Sequence, residues 1–146
     1  MQASMVPAEH AWRVWPDIRE YMEGAAEYTF GRYTADDIYE CVMEKDHTLW
    51  IAFDEAFIHG AVVTYIATYP RARYVVMAFA GGADGVMWKD PMLTILQKWA
   101  FDNGCTGIEA TARLGWSRIF KHNEYKPIWQ TFELPAGAAG IGADNG

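Results

Sequence analysis

The chain has 146 residues, 51% of them hydrophobic and 21% charged, and a net charge of −7. That length and composition describe about one domain with a sizeable core, and they exclude a mostly disordered chain. The acidity disfavours sequence-independent binding to DNA or RNA, which needs a basic face.

Residues 1–14 read as a loose N-terminal arm, because Pro7 blocks a helix there and no periodicity precedes Trp15. Trp15, Ile18, Met22 and Ala25 then repeat at helical spacing, with Pro16 suited to a first helical position and Gly31 marking the end. Thr34 followed by Asp37 has the form of a capping box, and Ile38, Cys41 and Val42 give the buried stripe of a second short helix. At Thr48 the period becomes extended. Leu49, Ile51 and Phe53 alternate with Trp50 and Ala52, and β-rich runs follow over 57–69 and 74–80. The third run is apolar on both faces, as a central strand covered on both sides would be. These three runs predict an antiparallel meander.

A glycine-rich loop over 81–85 follows, and Asp90-Pro91 has the chemistry of a helix start. Met92, Ile95, Leu96, Trp99 and Ala100 share one face of the predicted helix, and Gly104 closes it. A strand is expected over 106–112, a helix over 114–123 and a last strand over 128–134. Residues 136–146 form a Gly/Ala-rich tail with too little apolar surface to pack. One domain over 15–135 therefore holds an α/β mixed sheet with helices on both faces. Its strand–helix–strand unit over 74–112 implies a right-handed crossover between parallel neighbours.

The chemistry-bearing residues give few constellations. His10, His47, His59 and His122 lack metal-ligand spacing, and Cys41 and Cys105 lack the spacing of a disulfide framework, so no metal site is expected and the thiols read as free. The longest apolar run falls far short of the ~20 residues that span a bilayer, and no secretory leader is recognisable. Arg113, Trp116 and Arg118 form a polar-aromatic cluster with two readings, an interface contact site or a strand-to-helix turn with the Trp packed inward. Seven Trp residues are more aromatic surface than one small core easily hides; Trp12, Trp15 and Trp88 are the ones expected at the surface.

The element order, the glycine-rich turn before the long helix, and the segment from Arg118 to Pro127 resemble the GNAT family of N-acetyltransferases, over roughly residues 15–134 and with the family's first strand missing or hidden in the N-terminal arm. The stretches 99–105, 108–109 and 113–118 look closer still to small GNAT-like proteins of tailed phages and prophages, some of which are internal virion proteins. The resemblance implies a pyrophosphate cradle at Gly81, Gly82, Ala83 and Gly85, where backbone amides at a helix start would meet the phosphates of acetyl-CoA. Asp84 sits within that turn and opposes an anion, so the loop reads either as a variant cradle or as a tight turn that needs positive φ. In the family's late helix a Tyr commonly protonates the leaving thiolate; Phe120 occupies that position here, and Tyr125, five residues on where the family has an aromatic that packs, is the candidate donor or a core residue. Glu109 alternates with Ile108 and Ala110 and so faces away from the core, which makes it the candidate general base or a surface carboxylate. Arg71 and Arg73 could meet a cofactor 3′-phosphate or an acidic partner.

The resemblance supports two readings. One is a phage-encoded virion or assembly component, in the host cytoplasm or the particle, with a degenerate acetyl-CoA site, self-association and virion-protein partners. The alternative is an active acetyl-CoA-dependent N-acetyltransferase with a variant cradle. Acetyl-CoA is the cofactor in the second reading and none is needed in the first; neither involves a membrane.

Overall fold

The computed structural model describes residues 1–111 and 125–136. Five strands form one mixed sheet in the order β1 (Gln2–Val6), β2 (Thr48–Phe53), β3 (Ile58–Thr68), β4 (Arg73–Gly82) and β5 (Gly107–Ala110). The first four are antiparallel neighbours, and β5 runs parallel to β4. Helices α1 (Ala11–Glu27) and α2 (Ala35–Met43) precede the meander, and α3 (Gly85–Asp102) connects β4 to β5. This is the α/β sheet with helices on both faces that the periodicity predicts.

The two faces bury different cores. Ile18 and Met22 of α1 and Ile38 and Val42 of α2 pack on Leu49, Ala61, Val63 and Phe79. On the other face Trp88, Met92 and Leu96 of α3 pack on Trp50, Val62 and Met77. Strands β1 to β4 serve both cores because successive side chains alternate between faces. Trp50 carries its polar end inward, and its indole N–H donates to Thr64 Oγ1 at 2.9 Å, so both buried groups are satisfied.

Local chemistry explains several ends. Thr34 Oγ1 accepts from the Asp37 N–H, and the Asp37 carboxylate accepts from the Thr34 N–H, completing the capping box of α2. Gly104, at φ +70°, follows Asn103 where α3 stops, in the left-handed conformation that favours glycine.

Several expectations are corrected. The N-terminal arm is structured: residues 2–6 pair with β2 from Gln2↔Phe53 to Val6↔Leu49, and α1 begins at Ala11 rather than near Trp15. Pro16 therefore lies inside α1, and Pro91 inside α3, which begins at Gly85 instead of after Asp90. Each proline removes a single i→i−4 bond, a loss that the packing of Trp15 and Ile18 on one helix and Trp88 and Met92 on the other offsets. Trp15 (7% exposed) and Trp88 (1%) are buried, while Trp12 (58%) is at the surface as expected. The segment 125–136, read as containing a strand over 128–134, takes no regular secondary structure. The expected helix over 114–123 lies outside the described residues, and so does nearly all of the expected tail. Among the described residues no helix is long and apolar enough to cross a membrane.

Candidate functional site

The site is built on β4. Its last residues, Gly81 and Gly82, belong to the strand rather than to a loop, paired with Ala61 and Gly60 of β3. Their lack of a side chain has a packing reason. A Cβ on Gly81 would collide with the backbone carbonyl of Tyr21 on α1, and one on Gly82 would meet the His59 carbonyl and the Trp88 ring. Gly60 is pressed against the Trp88 indole in the same way. These glycines let a helix on each face approach the end of β4 closely.

The turn itself is only Ala83 and Asp84 long, because α3 begins at Gly85. The Ala83 N–H is committed to the His59 carbonyl at 2.9 Å, and the Met87 N–H to the Asp84 carbonyl at 2.9 Å. The amides of Asp84, Gly85 and Val86 are the orphan donors of the helix start. A cofactor phosphate placed there meets the positive end of the α3 dipole. Asp84 stands beside it in the left-handed conformation (φ 53°), without capping the helix by its side chain. Of the four expected cradle residues, only Gly85 thus stands at the helix start with an orphan amide.

Further along the sheet, β4 and β5 part. Their parallel pairing runs from Tyr74↔Gly107 to Met77↔Ala110 and stops. The pairing of β4 with β3 changes register at the same level, where Val63 faces Phe79 and Thr64 faces Met77, leaving Ala78 as a bulge. From Ala78 to Gly82 the β5 side of β4 is therefore a backbone edge without a strand partner among the described residues. An extended ligand carrying amides can add to such an edge as a strand does.

Glu109, the candidate base, sits one residue before that parting point and is half-buried. Its Oε2 accepts a hydrogen bond from the Tyr69 hydroxyl at 3.2 Å. The desolvated surroundings and the adjacent carboxylate push the Tyr69 hydroxyl above its ordinary pKa, which keeps it a donor. Tyr125 lies in irregular chain, more than 40 positions from the strand end in sequence, so the register of a late helix does not place it. Arg73 starts β4, at the end opposite the glycine turn, and donates to the Asn103 carbonyl at 2.8 Å, bracing the end of α3. Arg71 lies in the turn before it. Arg113, Trp116, Arg118 and Phe120 lie outside the described residues. Among the described residues no group of His, Cys, Asp and Glu is arranged to hold a metal.

One residue the sequence did not flag beyond its lack of metal spacing is His47. Its ring lies 5.1 Å from that of Tyr65 and 6.3 Å from that of Phe79, on the α1/α2 side of the sheet. Burial lowers its pKa below the usual imidazole value, and Nδ1 has no hydrogen-bond partner among the described residues. No linear motif marks it, because it joins the site through cross-strand neighbours.

With this geometry in view, solved structures of low identity share the fold. A probable acetyltransferase superposes with a TM-score of 0.69 at 11% identity, over 95% of this chain and 100% of its own. A ribosomal-protein-alanine N-acetyltransferase from Brucella melitensis biovar Abortus 2308 follows at 0.66 and 12%, over 92% and 99%. The aminoglycoside N-acetyltransferase AAC(6')-Iy, solved in complex with CoA, gives 0.62 and 10%, over 94% and 95%. The chain has the GNAT acetyltransferase fold. No protein-family model matches the sequence, and no curated protein matches it either.

Proposed function

We propose that the chain is an acetyl-CoA-dependent N-acetyltransferase. The observation that carries this reading is the coincidence of the Ala78 bulge, the parting of parallel strands β4 and β5, and a helix start at the end of the same strand. A thioester cofactor needs all three: an anion site, a backbone edge for its amide-bearing arm, and an opening at the sheet for its acyl end. The cofactor fits at the orphan amides of Asp84, Gly85 and Val86 and along the β4 edge from Ala78 to Gly82. It would supply an activated acyl group there. Glu109, held by Tyr69 on the α1/α2 side of the opening, is placed to orient an amine-bearing acceptor by its charge.

The fold neighbours favour this reading over a structural role in a phage particle. They are acetyltransferases, and none of those described above is a virion protein. The expectation of a spoiled cradle also weakens in physical terms. The helix start is present and reaches the strand end directly, so the one opposing feature is the Asp84 carboxylate.

Calorimetric titration of acetyl-CoA tests the reading, with Asp84→Asn as the informative variant. Asn tolerates the left-handed conformation that Asp84 adopts, so the substitution removes charge without straining the turn. Micromolar binding that tightens about threefold in Asp84→Asn at low salt is expected, from one unscreened like charge near the phosphates. Absence of binding in both proteins would refute the transferase reading. Binding indifferent to the substitution would move the phosphates away from the α3 start.

A further inference from the structure

The α1/α2 side of β3, β4 and β5 carries a second arrangement that an acyl-transfer site does not by itself require. Tyr65 and Glu109 both pair with Val76, one from each side, so the three lie in one cross-strand row on one face. The next row on that face is Ala67, Tyr74 and Gly107. Tyr69 ends the set, with its ring 6.0 Å from that of Tyr74 at 67° and its hydroxyl on Glu109. The Tyr74 ring lies over Gly107, where a Cβ would be 3.6 Å away. Small residues thus form a floor, and three tyrosines and a carboxylate rise around it.

Tyr65 and Tyr69 remain partly open to solvent, and Tyr74 and Glu109 are half-buried. Glu109 has no cationic partner among the described residues. Arg73, the nearest arginine in the strand, is occupied at the Asn103 carbonyl. Helix α1 packs on β3 and β4, whereas α3, on the opposite face, is the helix that packs closely on β5. Among the described residues no helix packs closely over the β5 end of this face, so the box faces the side where an acyl acceptor would approach the gap between β4 and β5.

Aromatic faces carry negative potential, and a ring of them beside a carboxylate selects a desolvatable cation. An anion is repelled by such walls, and a neutral ligand gains contact and hydrogen bonds there but no charge pairing. The chain's charge of −7 adds long-range attraction of the same sign. We propose that Tyr65, Tyr69, Tyr74 and Glu109 form a subsite for an alkylammonium group, and that the acyl acceptor is an amine carrying a second positive charge held there. This rests on the transferase reading above. Val76 is two residues from the Ala78 bulge, so the held cation and the reacting amine are separated by about 7 Å.

Tetramethylammonium chloride titrated into the full chain, followed by tyrosine ring resonances, tests the subsite against neutral tert-butanol at matched ionic strength. A saturable shift with the ammonium alone is expected, weakened about tenfold in Tyr74→Leu and in Glu109→Gln. Glu109→Gln keeps the inference testable should Tyr74→Leu fail to fold. An equal response to tert-butanol, no saturable shift, or undiminished binding in Glu109→Gln overturns the subsite. Acetyl-CoA calorimetry on the same samples separates the two readings. Cofactor binding without ammonium binding removes the box alone, and ammonium binding without cofactor binding removes its role in choosing an acceptor.

Discussion

The two ends of β4 are made of opposite materials. At its C-terminal end Gly81 and Gly82, with Gly60 beside them, leave no room for a Cβ, and Tyr21 and Trp88 press in from the two faces. At its start, Tyr74 stands over Gly107 among partly open tyrosines. One end is built for close approach of backbone, which suits a helix start and an anion. The other is built for side-chain contact with a ligand of moderate size. A glycine-rich run that reads as a phosphate loop thus serves packing at two of its positions, and only from Gly85 onward does it serve the helix start.

The largest expected effect breaks the tight end. Gly81→Val must push α1 off the sheet, and urea denaturation should show a loss of about 3 kcal/mol, whereas Tyr74→Leu at the open end should cost about 1 kcal/mol or less. Equal losses would mean that the two ends are packed alike. The next effect concerns His47. Its folded pKa lies below the unfolded value near 6.5, so the unfolded chain binds the extra proton in that window. Stability should be complete above about pH 6.5 and fall as the pH drops below it. His47→Phe should flatten the dependence of the urea midpoint on pH between 7.5 and 5.5, and an unchanged slope would assign the proton elsewhere.

The smallest effect lies in the β2–β3 hairpin. Asp54 accepts from the Phe57 and Ala56 N–H groups and bonds His59 Nε2 at 2.7 Å, which together lower its pKa to about 2. Its contribution is present above the ordinary value of 3.8 and is lost as the pH falls through about 2. Asp54→Asn should make the acid-unfolding curve slightly shallower while leaving stability at pH 7 little altered. A large loss at pH 7 would show that the hairpin, rather than the two ends of β4, anchors this edge of the sheet.

Much of this architecture was legible where its cause is local. The Thr34–Asp37 capping box, the meander, the face of α3 defined by Met92 and Leu96, and the stop at Gly104 all follow from residues within a turn or two of one another. The crossover that makes β4 and β5 parallel neighbours followed from the strand–helix–strand order. Glu109 could be placed off the core because its neighbours alternate, yet its bond to Tyr69 spans 40 positions and no pattern announces it.

Sequence alone determined the middles of the three helices and of β2 to β5, because periodicity and capping act over a few residues. The tertiary structure decided the rest. Residues 2–6 are a strand because β2 offers an edge, and the glycines at 60, 81 and 82 are small because helices from two faces converge on them. Tyr65, Tyr74 and Glu109 come from three strands and meet Tyr69 of the β3–β4 turn because register, a property of strand pairs rather than of any one segment, brings them into adjacent rows.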